Sequence, residues 1–198
     1  MSPELEEILC ARYPEILPSF GKPGTLQFGL ECGDGWFELI DATCRLIQRH
    51  PVADTETVVA TQIKEKFGTL RFYHRGGDDF VYSLINLVEE LSGSICEICG
   101  GIGSTSERNN WLRTRCPLHT AGWSRTTSIH FTSVDSPSRL SDILAAVLGL
   151  FKHDSIAAAK WLNAPNWALP QSPLAEAISN GNYSQVVTLI GQIEYGVL

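Results

Sequence analysis

The chain has 198 residues, a formal net charge of −7, 43% hydrophobic residues and 19% charged residues. That length accommodates one sizeable domain or two small ones, and the composition is globular rather than that of a disordered acidic tail. Apolar runs such as Ile143–Phe151 fall far short of the roughly 20 residues of a membrane span, the acidic start Met1–Glu7 lacks the parts of a secretion signal, and the acidic balance argues against a broad nucleic-acid coat. A cytoplasmic protein without membrane association is expected.

Residues 3–20 read as a short helix with Leu5, Ile8 and Leu9 on one face, followed by a turn at Gly21–Gly24. Gly33-Asp34-Gly35 leads into a second helical stripe, Trp36, Leu39, Ile40, Thr43, Leu46 and Ile47, with Asp34 as its N-cap and Pro51 just past its end. The period then changes. Val58–Ile63 and Thr69–Tyr73 are β-rich and flank Lys64–Gly68, which predicts a hairpin with Gly68 in or near the turn. Asp78 and Asp79 can cap a further helix with Val81, Leu84, Ile85, Val88 and Leu91 inward.

The charge and the cysteines are both zoned. Residues 1–95 carry eight basic and fifteen acidic side chains, whereas residues 96–130 carry four arginines and two glutamates. Cys10, Cys32 and Cys44 sit among apolar neighbours, as core thiols do. Cys96, Cys99, Cys116 and His119 are spaced Cys-x2-Cys-x16-Cys-x2-His, two knuckles whose four ligands can close a tetrahedron around a structural zinc ion (Zn2+). A disulfide or a chance spacing is the alternative. Four protein ligands leave no position for a catalytic water, so the predicted site is a staple.

The chain beyond residue 122 is hydroxyl-rich and then helical. Residues 123–136 read as a linker; Ser136-Pro137, Asp154 or Ser155, Ser172-Pro173 and a capping box at Asn182–Gln185 open four successive helices. The expected fold is α+β: residues 1–122 as a small domain with a β-hairpin and a zinc-stapled loop, and residues 137–198 as an all-α four-helix domain.

This last region resembles the toxin-binding domain of the MbcA/ParS/Xre antitoxins. The shared pattern is Trp161-Leu162 ending one helix, Pro165-Asn166 in the loop, Ser172-Pro-Leu opening the next, and a final Gly191-Gln-Ile-Glu-Tyr-Gly-Val. Leu169-Pro-Gln stands where the family has a Gly-rich loop. The resemblance implies docking on a NAD-consuming RES-type toxin, with Glu194, Tyr195, Gly196, Val197 and Leu198 obstructing its pocket and Trp161 and Asn166 in the partner-binding part. Residues 28–120 resemble a set of phage and prophage proteins through Glu31–Phe37, Lys64–Tyr73 and Cys96–Gly100; that set names no activity but implies a phage origin.

Two other readings stand beside the inhibitor. One is a zinc-containing nucleic-acid-binding regulator, using Arg108, Arg113, Arg115 and Arg125 near Trp111 and Trp123, although four arginines make a weak phosphate footprint and pairing with the acidic first region is the simpler expectation. The other is a counter-defence inhibitor of another host immune enzyme. An enzyme is not expected: Cys32 with Asp34 is the one arrangement to suspect as a nucleophile, and His50, His74, His130 and His153 lack an evident partner. No oligomeric state follows, and a homo-oligomer is compatible with the pattern.

Overall fold

Residues 1–18, 29–50, 57–120 and 138–197 are described by a computed structural model. The interval 123–136, together with Trp123, Arg125, His130, Ser136-Pro137 and Leu198, lies outside the described residues. The fold is α+β, with eight α-helices and two small sheets among the described residues. None of these helices is long and apolar enough to cross a membrane.

Helix α1 (Pro3–Arg12) begins with Pro at its first position and Glu4 and Glu6 in its first turn, which suits the positive end of the helix dipole. Leu5 and Leu9 point into the core. A short strand β1 (Leu30–Glu31) pairs parallel with β2 (Val59–Lys66), which pairs antiparallel with β3 (Thr69–Arg75). The hairpin loop is only Phe67-Gly68, tighter than the Lys64–Gly68 segment expected. Lys64, Glu65 and Lys66 pair in register with Arg71, Leu70 and Thr69, and Phe67 (φ 55°) and Gly68 (φ 81°) form the left-handed two-residue turn that follows strand twist.

Helix α3 (Asp79–Ser92) closes the free edge of β3: Glu89 Oε1 accepts the Phe72 amide at 2.8 Å and Ser92 Oγ the Leu70 amide at 2.8 Å. Asp78 caps α3 by accepting from the Val81 amide at 3.1 Å. Helix α2 (Phe37–Arg49) is buried on several faces because α1, α3 and α5 (Leu140–Leu150) enclose it.

Helices α5, α6 (Ser155–Asn163), α7 (Pro173–Asn180) and α8 (Tyr183–Tyr195) complete the chain. Asp154 and Ser172 cap α6 and α7. Asn182 does not cap α8; its Nδ2 donates to Glu176 Oε2 at 2.9 Å, joining α7 to the start of α8. Helix α5 packs on α2, and α6 on α3, so that Leu140, Ile143 and Leu162 belong to one apolar cluster with Leu39, Ile40 and Leu84.

Candidate metal centre

A second, smaller buried cluster lies apart from this core. It consists of Cys96, Cys99 and Cys116 with Ile98 against them. The chain makes its first knuckle immediately after α3: the Cys96 amide donates to the Gly101 carbonyl at 2.7 Å and the Gly100 amide to the Cys96 carbonyl at 2.9 Å. Gly100 turns the backbone left-handed at φ 76°. Strands β4 (Ser104–Arg108) and β5 (Trp111–Arg115) then form a hairpin that the sequence pattern did not reveal, turning through Asn109 and Asn110 at φ 54° and 63°. The short helix α4 (Pro117–Thr120) carries His119 back over the knuckle.

The ligand atoms of Cys96, Cys99, Cys116 and His119 all lie within 4.8 Å of one another, and all four residues are buried. The Cys99 and Cys116 sulfurs are 3.8 Å apart, and His119 Nδ1 lies 3.5 Å from the Cys96 sulfur and 3.1 Å from that of Cys116. A zinc tetrahedron with arms of about 2.3 Å to sulfur and about 2.0 Å to nitrogen has sulfur–sulfur edges of about 3.8 Å and sulfur–nitrogen edges of about 3.5 Å. These four groups could therefore hold a metal ion, and their spacing is compatible with a structural zinc. The Cys96 thiol is drawn below its ordinary value, first by the hydrogen bond from Cys99 and then by backbone N–H groups, while that same contact and burial push Cys99 up.

The three blocks Glu31–Phe37, Lys64–Tyr73 and Cys96–Gly100 converge on this centre. Asp34–Trp36 form a single 3-10 turn docked on the first knuckle, so Asp34 is not the N-cap of α2; its Oδ1 accepts the Ser2 amide at 2.6 Å. The Gly35 amide donates to the Glu97 carbonyl at 3.0 Å, and Trp36 Nε1 donates to the Ile95 carbonyl at 2.9 Å. From the second block, the Gly68 carbonyl accepts from Thr114 Oγ1 at 2.5 Å.

A Cβ at Gly35 would lie 2.1 Å from the Cys96 carbonyl oxygen and 2.8 Å from the Cys99 amide nitrogen, both of them backbone atoms with no freedom to move aside. A Gly35→Ala variant should therefore lower stability by at least about 1–3 kcal/mol and weaken the binding of added zinc, although it alters none of the four residues of the cluster. Competition with a chromophoric chelator and a thermal melt measure both effects; wild-type values in the two would refute this account of the glycine.

The arginines are divided in their commitments. Arg115 Nη2 lies 3.1 Å from Glu97 Oε1, and Arg113 Nη1 lies 3.5 Å from Glu97 and 3.6 Å from Glu65. Burial raises the Glu97 carboxyl above its ordinary value, and the two guanidinium groups restrain that rise. Arg108 is exposed at the far end of the hairpin. Together Arg108, Arg113, Arg115, Trp111 and His119 line one cavity of about 460 Å³.

Elsewhere, Cys32 is buried, and burial pushes its thiol up to about 12, the opposite of nucleophile activation. His50 does acquire a carboxylate: its Nε2 lies 2.7 Å from Asp78 Oδ2, 28 residues away, with Phe80 stacked on the imidazole at 4.3 Å. Trp161 is half-buried beside Phe151, and Asn166 Oδ1 accepts the Ala168 amide at 2.9 Å, a local turn bond. Tyr195 and Val197 are 79% and 66% exposed. Trp167, next to Asn166, is 82% exposed, and only its place after Pro165-Asn166 in an irregular segment could have singled it out. No family model matches the chain, and no curated protein or solved structure matches it either.

Proposed function

We propose that the chain is a phage-related, antitoxin-like inhibitor that binds a partner enzyme, a NAD-consuming RES-type toxin, and obstructs its active-site pocket with Glu194–Leu198. In this reading the Cys96, Cys99, Cys116 and His119 cluster holds one structural zinc that staples the Cys96–Thr120 loop, and α5–α8 act as a four-helix docking unit.

The observation that carries the reading is the end of α8. The Val197 amide donates back to the Gln192 carbonyl at 2.9 Å, and Gly196 stands at φ 67°. That closing motif satisfies the last carbonyls and leaves the neighbouring side chains outside the helix–helix contacts. Tyr195 and Val197 therefore project into solvent at a fixed point on a docked helix. An exposed aromatic held on a rigid support is an effective binding anchor, since little freedom is lost when a concave partner covers it. The exposed Ile156 and Trp167 add apolar surface within the same set of helices.

Removing Gly196–Leu198, or replacing Tyr195 by Ala, should weaken inhibition of toxin-catalysed NAD consumption by about tenfold or more. The melting temperature should stay at the wild-type value for Tyr195→Ala, whose side chain is exposed, and fall only slightly for the truncation, which removes the bond from the Val197 amide to the Gln192 carbonyl. Undiminished neutralisation by the truncated chain would rule out the obstruction mechanism.

A further inference from the structure

The register of the second hairpin sorts its side chains by chemistry. Ser104 pairs with Arg115, Ser106 with Arg113 and Arg108 with Trp111, which places these six on one face of the ladder. Of the intervening residues, Thr114 Oγ1 donates to the Gly68 carbonyl and Thr105 Oγ1 to the Gly93 carbonyl, while Leu112 and Glu107 are exposed and Glu107 also lines the cavity beside this hairpin. The first face therefore carries three guanidinium groups, one indole and two hydroxyls. All of these residues except Ser104 line the cavity of about 460 Å³, and His119 and Thr120 of α4 contribute to it as well.

Two members of this face have capacity to spare. Trp111 is 66% exposed, with the Arg113 guanidinium 5.8 Å from its ring centroid. Arg108 makes no ion pair among the described residues, whereas Arg113 and Arg115 are shared with Glu97 and Glu65. The exposed part of the indole offers a stacking surface for a flat ring, and an arginine across the ladder from it offers a fork for a phosphate. The volume falls within the range of roughly 300–1,000 Å³ typical of small-molecule sites, enough for one ring–sugar–phosphate unit and too small for a duplex. Glu107 at the rim and the net charge of −7 weigh against a long polyanion and in favour of a single phosphate.

We propose that this cavity binds one nucleoside monophosphate unit, with the base stacked on Trp111 and the phosphate held by Arg108 and Ser106. The unit is either a free nucleotide or the end of a single strand. The site is independent of the inhibitory segment at the end of α8.

Calorimetric titration of the full-length, metal-loaded protein at low salt tests the proposal, using adenosine monophosphate, a short oligo(dA) and inorganic phosphate in turn. Saturable one-to-one binding of the nucleotide or the oligonucleotide is expected, weakened about tenfold or more by Trp111→Ala and by Arg108→Gln. Both side chains are exposed, so metal content and melting temperature should not change. Mononucleotide binding at least as tight as that of the oligonucleotide identifies a free nucleotide, and saturation by the oligonucleotide alone identifies a strand end. The proposal is overturned if neither saturates, if both variants bind like wild type, or if inorganic phosphate binds as tightly as the nucleotide.

Discussion

Under the zinc staple proposed above, chelation, or replacement of Cys96 by Ser, is expected to unfold Cys96–Thr120 while α2 and α3 stay folded. The segment has almost no apolar core: β4 is exposed along its whole length, Thr114 is the only buried residue of β5, and the buried cluster consists of the ligands themselves with Ile98 beside them. Ordering about two dozen residues costs roughly 1–2 kcal/mol each in backbone entropy, more than that burial and the contacts with Gly35 and Gly68 return. A structural zinc contributes about 10–16 kcal/mol in small zinc-dependent modules, a large term for a segment with so little burial of its own. Hydrogen exchange should show the amides of β4 and β5 losing protection on chelation, with those of α3 unaffected. Metal analysis should find about one zinc per chain in the wild type. A stoichiometry far below that, or a Cys96→Ser chain that melts like wild type, would remove the metal from the account.

What could be read from the residues alone depended on the range of the interaction. The stripes of α2 and α3 repeat within one turn, and the cap at Asp78 lies three residues from the amide it accepts, so local pattern sufficed. The cluster of Cys96, Cys99, Cys116 and His119 was equally visible, because its two pairs are each spaced by two residues. The β4–β5 hairpin was not: Ser104–Arg108 has no apolar alternation, and its partners come from the metal centre and from Gly68, 46 residues before Thr114. Asn109-Asn110, residues that tolerate left-handed backbone, was the one local clue. Gly33 and Gly35 resembled an ordinary turn before a helix, yet each lies against the backbone of the Cys96–Gly100 knuckle, where a Cβ would collide. Distance in sequence also concealed the pairing of His50 with Asp78.

Asp41 belongs to the same concealed group, and Asp41→Ala is the second substitution expected to have a large effect. The residue lies beside the apolar stripe of α2, where periodicity would assign it to solvent, but α1 and the start of α5 cover that side and bury it fully. Its carboxylate accepts from Arg12 Nη1, from the Tyr13 hydroxyl at 3.0 Å and from the Ser138 amide at 2.5 Å. Burial and the adjacent carboxylate push the Tyr13 phenol upward, so the hydroxyl keeps its proton and remains a donor. Truncation would remove the Arg12 ion pair and leave the Tyr13 hydroxyl and the Ser138 amide without this acceptor in a closed site, at a cost of about 3–5 kcal/mol. For a chain of this size that amounts to a fall of roughly 10 °C in melting temperature. The double variant Arg12→Met, Asp41→Leu should recover only the part of the loss that comes from the ion pair, since the Tyr13 hydroxyl and the Ser138 amide still lack an acceptor. A single variant within about 1 kcal/mol of wild type would show that the network holds nothing together. Under the proposed inhibitory function, Asp41→Ala should reduce inhibition only as far as it unfolds the chain, whereas loss of Gly196–Leu198 should weaken inhibition by about tenfold or more in a chain that remains folded.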